Sequence, residues 1–135
     1  MPGLVKTDSE ANPRPSLFRP DLSVIAEFVE QLAGEFFYDG PDRRSNPRYE
    51  ITLPVYVVPL DEKLRSLDYL IRASTRNISV SGVSLVCMDP IGSPNLAIQF
   101  KSPSGKEVTV LAEVVHSKAQ GYFHQVGCKF IGMHG

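Results

Sequence analysis

The sequence predicts an all-β core of six short antiparallel strands, closed as a small barrel or packed as a sandwich, preceded by one amphipathic helix. Three observations support this class. From Tyr49 onward apolar residues recur with period two in six separate runs, the spacing that sends alternate side chains to opposite faces of a strand. Clusters of Gly, Pro, Ser and Asn punctuate those runs and mark turns. Upstream, residues 21–37 place apolar side chains three and four apart, the period of a helix face.

Residues 1–20 read as a mobile Pro-rich tail, because Pro2, Pro13, Pro15 and Pro20 interrupt any helix and apolar residues are sparse. A helix over 21–38 follows, with Asp21 as a candidate N-cap after Pro20. Leu22, Ile25, Val29, Leu32 and Phe36 form one stripe, widened by Phe28 and Phe37, with Glu27, Glu30 and Gln31 on other faces. The stripe either packs on this chain's own domain, the favoured expectation, or offers a homodimer or partner surface through helix 21–37. Asp39–Gly40–Pro41–Asp42 ends the helix, and a domain over 39–135 begins with a basic loop at 39–48. That loop is expected to be extended, because Ser45–Asn46 precedes Pro47 and a residue before proline avoids the helical region.

The first strand is read from Ile51, Leu53, Val55 and Val57, alternating with Thr52, Pro54 and Tyr56. Pro54 implies an edge position or a bulge there. Leu70 to Ile78, Gly82 to Met88, Asn95 to Lys101, Lys106 to Ser117 and Tyr122 to Ile131 supply five more strands. Pro103–Ser104–Gly105 and Gln120–Gly121 are the expected hairpin turns. Six strands with short turns suit a barrel, which leaves no sheet edge to protect.

The chain has 135 residues, 42% apolar and 21% charged, with a formal net charge of −1. A single domain of this size buries a core without disulfides or metals. The near-neutral balance argues against a nucleic-acid polymer as partner, so any anion site must be local. Cys87 and Cys128 lie in alternating apolar runs and read as buried free thiols. No Cys or His spacing suggests a metal. No run is long enough to span a membrane, and the tail does not resemble a secretion signal, so a cytoplasmic location is expected.

Two local features carry chemistry. Arg43, Arg44 and Arg48 fall within six residues. Asp39 and Asp42 could pair with them in a solvated loop. A guanidinium fork also fits phosphate oxygens two at a time, and its flat face stacks on nucleobases. The second feature is Asn77–Ile78–Ser79–Val80–Ser81–Gly82. Asn77 and Ser79, two apart at a strand end, point the same way and offer donors and acceptors. Gly82 permits a backbone angle or a close approach that a side chain would block. An ordinary Asn/Ser hairpin turn is the alternative.

Together, an RxxxR loop before the first strand (Arg44–Ser45–Asn46–Pro47–Arg48) and a later [D/N]xSxxG turn (Asn77 to Gly82) resemble the PilZ domain family. Gly82–Val83–Ser84–Leu85 and Gly127–Cys128–Lys129–Phe130 extend the resemblance, which covers residues 42–131. It implies a six-stranded antiparallel PilZ-type β-barrel that binds cyclic di-GMP. Arg44 and Arg48 would contact phosphates and guanine Hoogsteen edges, Asn77 and Ser79 a guanine from the barrel face, and Gly82 would hold the turn and let the ligand approach. The family often has Asp where this chain has Asn77, which costs a charge. Arg43, just before the motif, corresponds to members that bind a stacked pair of ligands. The function implied is a receptor that changes conformation and signals to a downstream protein; the alternative is a PilZ-like adaptor that binds no nucleotide.

Enzymatic signatures are missing. Ser102–Pro103–Ser104–Gly105–Lys106 lacks the first glycine and the terminal hydroxyl of a phosphate loop, and Val80–Ser81–Gly82 lacks the leading glycine of a nucleophile elbow. No cofactor is expected beyond the nucleotide ligand.

Overall fold

The structure, a computed structural model, describes residues 22–36 and 48–133. The tail at 1–20, the predicted cap Asp21, the predicted helix end at 37–38 and the segment 39–47 lie outside the described residues. Helix α1 spans Ser23–Glu35 and is followed by six strands: β1 Pro54–Leu60, β2 Ile71–Ile78, β3 Gly82–Cys87, β4 Asn95–Lys101, β5 Glu107–Gln120 and β6 Phe123–Met133. All pairings are antiparallel, and the strands close into a barrel in the order β1-β2-β3-β6-β5-β4. Two three-stranded meanders, β1–β3 and β4–β6, are joined by residues 88–94 and sealed where β3 meets β6 and β1 meets β4. Of the barrel and the sandwich, the chain forms the barrel.

Alternation along the strands fills the interior. Val55, Val57, Ile71, Leu85, Leu96, Ile98, Val110, Val126 and Phe130 are all buried in one core. Both predicted hairpins occur, with Gly105 and Gly121 at positive φ (98° and 62°), the conformation that glycine adopts without steric cost. Pro54 opens β1 rather than interrupting it and pairs only with Ser74 of β2. At that position a missing N–H leaves no ladder gap on the opposite side.

The first strand is shorter than the alternation predicts. Residues 49–53 do not belong to β1, yet they are tied to β2. Tyr49 and Ile78 exchange both backbone hydrogen bonds (2.8 and 2.9 Å), and the Thr75 N–H donates to the Leu53 carbonyl (2.9 Å). The buried Thr75 hydroxyl accepts from the Leu53 N–H (2.9 Å) and donates to the Ile51 carbonyl. This latch lays Ile51 and Leu53 over the core and fixes the chain entering from Arg48.

Helix α1 packs on its own barrel, the favoured of the two sequence expectations. Ile25, Phe28, Val29 and Leu32 join the common core, and the Phe28 ring meets Phe100 at 5.7 Å between centroids. Phe100 in turn meets Phe130 edge-on at 6.5 Å. These four stripe residues are therefore occupied by the chain's own core. Leu22 departs from the stripe: it flanks the helix N-terminus and is 41% exposed. At the other end, the Glu35 carboxylate accepts from the Ser104 N–H and hydroxyl (2.9 Å each), and the Lys106 ammonium donates to Gln31 (3.3 Å). The Ser104 amide, more than any other contact, holds the Glu35 pKa below its ordinary value. Among the described residues no helix is long and apolar enough to cross a membrane.

Phe28→Ala should lower the unfolding free energy by about 3–5 kcal/mol through loss of buried ring volume, seen as a reduced denaturant midpoint. Thr75→Val leaves the Leu53 N–H without its acceptor and should cost about 1–3 kcal/mol in the same assay.

Candidate functional site

A cavity of about 330 Å³ opens on the outer barrel face, and Arg48, Asn77, Ser79 and Gly82 all line it. Four of the six sequence-predicted residues thus converge on one place. Arg43 and Arg44 lie outside the described residues. Each of the four is brought there by a distinct local feature.

Arg48 is exposed and immediately precedes Tyr49. The paired hydrogen bonds between Tyr49 and Ile78 therefore hold the base of the arginine segment beside the end of β2. No side-chain attraction is needed to bring Arg48 near Asn77.

Asn77 faces outward because of a bulge. Ile71, Ala73 and Thr75 are buried, so strict alternation would turn residue 77 inward. The register slips by one between Thr75, opposite Leu85, and Asn77, opposite Ser84. Arg76 is the extra residue, and the slip puts Asn77 outside and Ile78 inside. The Asn77 amide has no hydrogen-bond partner among the described residues, so its donor and acceptor are both open to the cavity.

Ser79 is engaged in the turn itself. Its hydroxyl accepts from the N–H groups of Ser81 (3.2 Å) and Gly82 (3.3 Å) and lies 3.0 Å from the Ser81 hydroxyl. Its own N–H donates to the Gly82 carbonyl (2.9 Å). Ser79 is 8% exposed, so it shapes the rim more than it reaches out. Of the two reasons expected for Gly82, a special backbone angle or a close approach, the structure supplies the second. Its φ is not positive, and the turn does not require glycine there. A Cβ at 82 would instead collide with the Cys128 carbonyl oxygen of β6. Glycine lets β3 and β6 pair closely under the cavity.

Sequence reasoning missed the far wall. Ser84, His116, Gln125 and Gly127 also line the cavity. Cross-strand register sets Asn77, Ser84, Gly127 and His116 in one row across β2, β3, β6 and β5. Gln125 is oriented at both ends: its amide nitrogen donates to the Ser84 hydroxyl (3.4 Å) and its oxygen accepts from Arg76 (3.2 Å). The available sequence signal was Gly127, since a glycine inside a strand often marks close approach. A second depression of about 350 Å³, lined by Pro54, Arg72, Ser74, Val86, Met88 and Phe123, is mostly apolar and contains none of the predicted residues. Among the described residues no group of His, Cys, Asp and Glu could hold a metal ion.

This cavity is suited to a ligand that combines anionic groups with hydrogen-bonding edges: the Arg48 guanidinium, the open Asn77 amide, and no acidic side chain among its described lining residues. The fold is a closed, six-stranded antiparallel β-barrel with a polar depression on its outer face. Residues 42–135 match the model of the PilZ domain, and the chain belongs to that family, one of receptor and adaptor domains. A comparison with curated proteins found no match. Among solved structures, the inhibitor of motility (MotI/DgrA) of Bacillus subtilis superposes with a TM-score of 0.55 at 17% identity, over 70% of this chain and 46% of that one. This chain thus spans less than half of that protein, and the likeness is one of fold. The PilZ domain of YcgR from Escherichia coli, solved with c-di-GMP, gives a TM-score of 0.45 at 14% identity, over 67% of this chain and 79% of that one.

Cys87 and Cys128 are buried free thiols. Burial, followed by the nearby Cys87, pushes the Cys128 pKa from 9.0 to about 12; burial, then Asp89, raises that of Cys87. Between those two Cys128 values the folded chain keeps a proton that the unfolded chain releases. Stability therefore falls as pH rises through that window, and the group adds no slope below it. The alkaline decline of the denaturant midpoint should be shallower in Cys128→Ala than in the wild type.

Proposed function

We propose that this chain is a receptor for cyclic di-GMP, not an enzyme, and that occupancy is passed to a downstream protein. The observation that carries this reading is the convergence of Arg48, Asn77, Ser79 and Gly82 on one cavity. These residues come from two separated motifs, and the cavity falls within the size range of small-molecule sites, about 300–1,000 Å³. Membership of the PilZ family and the c-di-GMP bound to the YcgR domain support the choice of ligand. In this reading residues 39–135 are the receptor domain, with the tail and helix as an N-terminal extension.

The arginines supply the electrostatics. Arg44 and Arg48 hold phosphate oxygens and a guanine Hoogsteen edge through charge-assisted, forked hydrogen bonds. Asn77 receives the edge of one guanine: its carbonyl oxygen accepts from N1–H or N2–H₂ without the charge that Asp would add. Arg43 favours a stacked pair of ligands. Isothermal titration of the full chain with cyclic di-GMP should give binding at micromolar concentration. Arg44→Ala and Arg48→Ala should each weaken it at least about tenfold, the loss expected for one charge-assisted bond. Absence of heat from the wild type, with none for GTP either, favours the adaptor reading instead.

The arginine segment lies between Phe36, at the end of α1, and Tyr49, at the latch on β2. Ligand gripped by Arg44 and Arg48 would pull on that connection. The helix end is held by surface polar contacts at Ser104 and Lys106 and is the element poised to respond. Amide hydrogen exchange in residues 30–36 should change at saturating ligand; identical protection with and without ligand counts against the helix as reporter.

A further inference from the structure

His116 reaches the cavity through a second bulge. Val114 lies opposite Cys128 and His116 opposite Gly127, so Val115 is the extra residue. Val110 and Ala112 point inward and are fully buried. Strict alternation would send residue 116 inward too, and the slip sends it out. Opposite it, Gly127 has no side chain. A Cβ there would overlap the imidazole, with Cδ2 at 2.7 Å and Cε1 at 2.8 Å, barely farther than the Nε2 between them. A ring aiming its Nε2 tip at this position would hold those two carbons distinctly farther back. The imidazole therefore lies flat on the Gly127 backbone, one face against β6 and the other open. His116 is exposed, Gly127 is buried, and among the described residues no other aromatic side chain lines the cavity.

We infer that His116 is the platform on which one purine base of the ligand stacks, with the open amide of Asn77 at the base's edge. The inference rests on the receptor reading and adds a residue outside both motifs. A flat imidazole offers a π-face to any base, and base–aromatic stacking is tolerant of base identity. Its role is thus to favour ligands with a large planar purine, while Arg48 and Asn77 read the edges. Gly127 acts as a positioning residue by allowing the ring to lie down.

The test is titration of the full chain with cyclic di-GMP, combined with proton NMR of the guanine H8. His116→Ala should weaken binding about tenfold, whereas His116→Phe should stay within about threefold of wild type. The H8 resonance should move upfield in wild type and His116→Phe and lose that shift in His116→Ala. Gly127→Ala displaces a surface side chain and should weaken binding as His116→Ala does, with circular dichroism unchanged. Wild-type affinity in His116→Ala, or equal losses in the Ala and Phe variants, overturns the platform while leaving the receptor reading intact. No binding by the wild type ends both.

Discussion

The seam between β3 and β6 closes the barrel, and it depends on a backbone approach that any side chain at position 82 would obstruct. The Cys128 carbonyl occupies the space a Cβ would need. Gly82 pairs with Lys129, and the Phe130 N–H reaches the Ser81 carbonyl at 2.9 Å. Without this contact the two meanders would meet only at β1 and β4, leaving a row of unpaired backbone groups on β3. The same seam forms the floor of the cavity, so closure of the fold and construction of the site are one event.

On that floor, the outer surface is organised by two one-residue slips. The bulge at Arg76 turns Asn77 outward, and the bulge at Val115 turns His116 outward. Each reverses the face of every residue after it, the property that makes bulges effective at re-aiming side chains. Between them, Ser84 and Gly127 are small enough to leave a depression. The result is a polar, outward-facing site on a barrel whose buried apolar residues form one core cluster.

The helix and the arginine segment are coupled to this scaffold by different means. The helix is held by apolar burial around Phe28 and Phe100, which is insensitive to charge. The arginine segment is anchored at its C-terminal end by backbone bonds and by the Thr75 hydroxyl. A chain of net charge −1 offers no long-range attraction for an anion, so in the proposed receptor capture would rest on short-range contacts such as those of Arg48 at the cavity. Short-range, forked hydrogen bonding suits that requirement.

Much of the fold was legible in sequence. Period-two alternation located the six strands, turn residues separated them, and the three-four spacing of Ile25, Val29 and Leu32 marked the packing face of the helix. Those patterns survive because each strand faces one core, and apolar burial imposes its period directly on the chain. Asn77, Ser79 and Gly82 were legible as a motif, and a close approach at Gly82 was one of two expected reasons for it, though its partner was not legible: the constraint comes from Cys128, forty-six positions away. The shortened first strand, the Thr75 latch and the wall formed by His116, Gln125 and Gly127 were decided only in three dimensions. Bulges leave little local signal, and cross-strand register is set by partners distant in sequence. The chain itself thus determined the barrel and half of its candidate site; barrel closure and two bulges determined which side chains complete it.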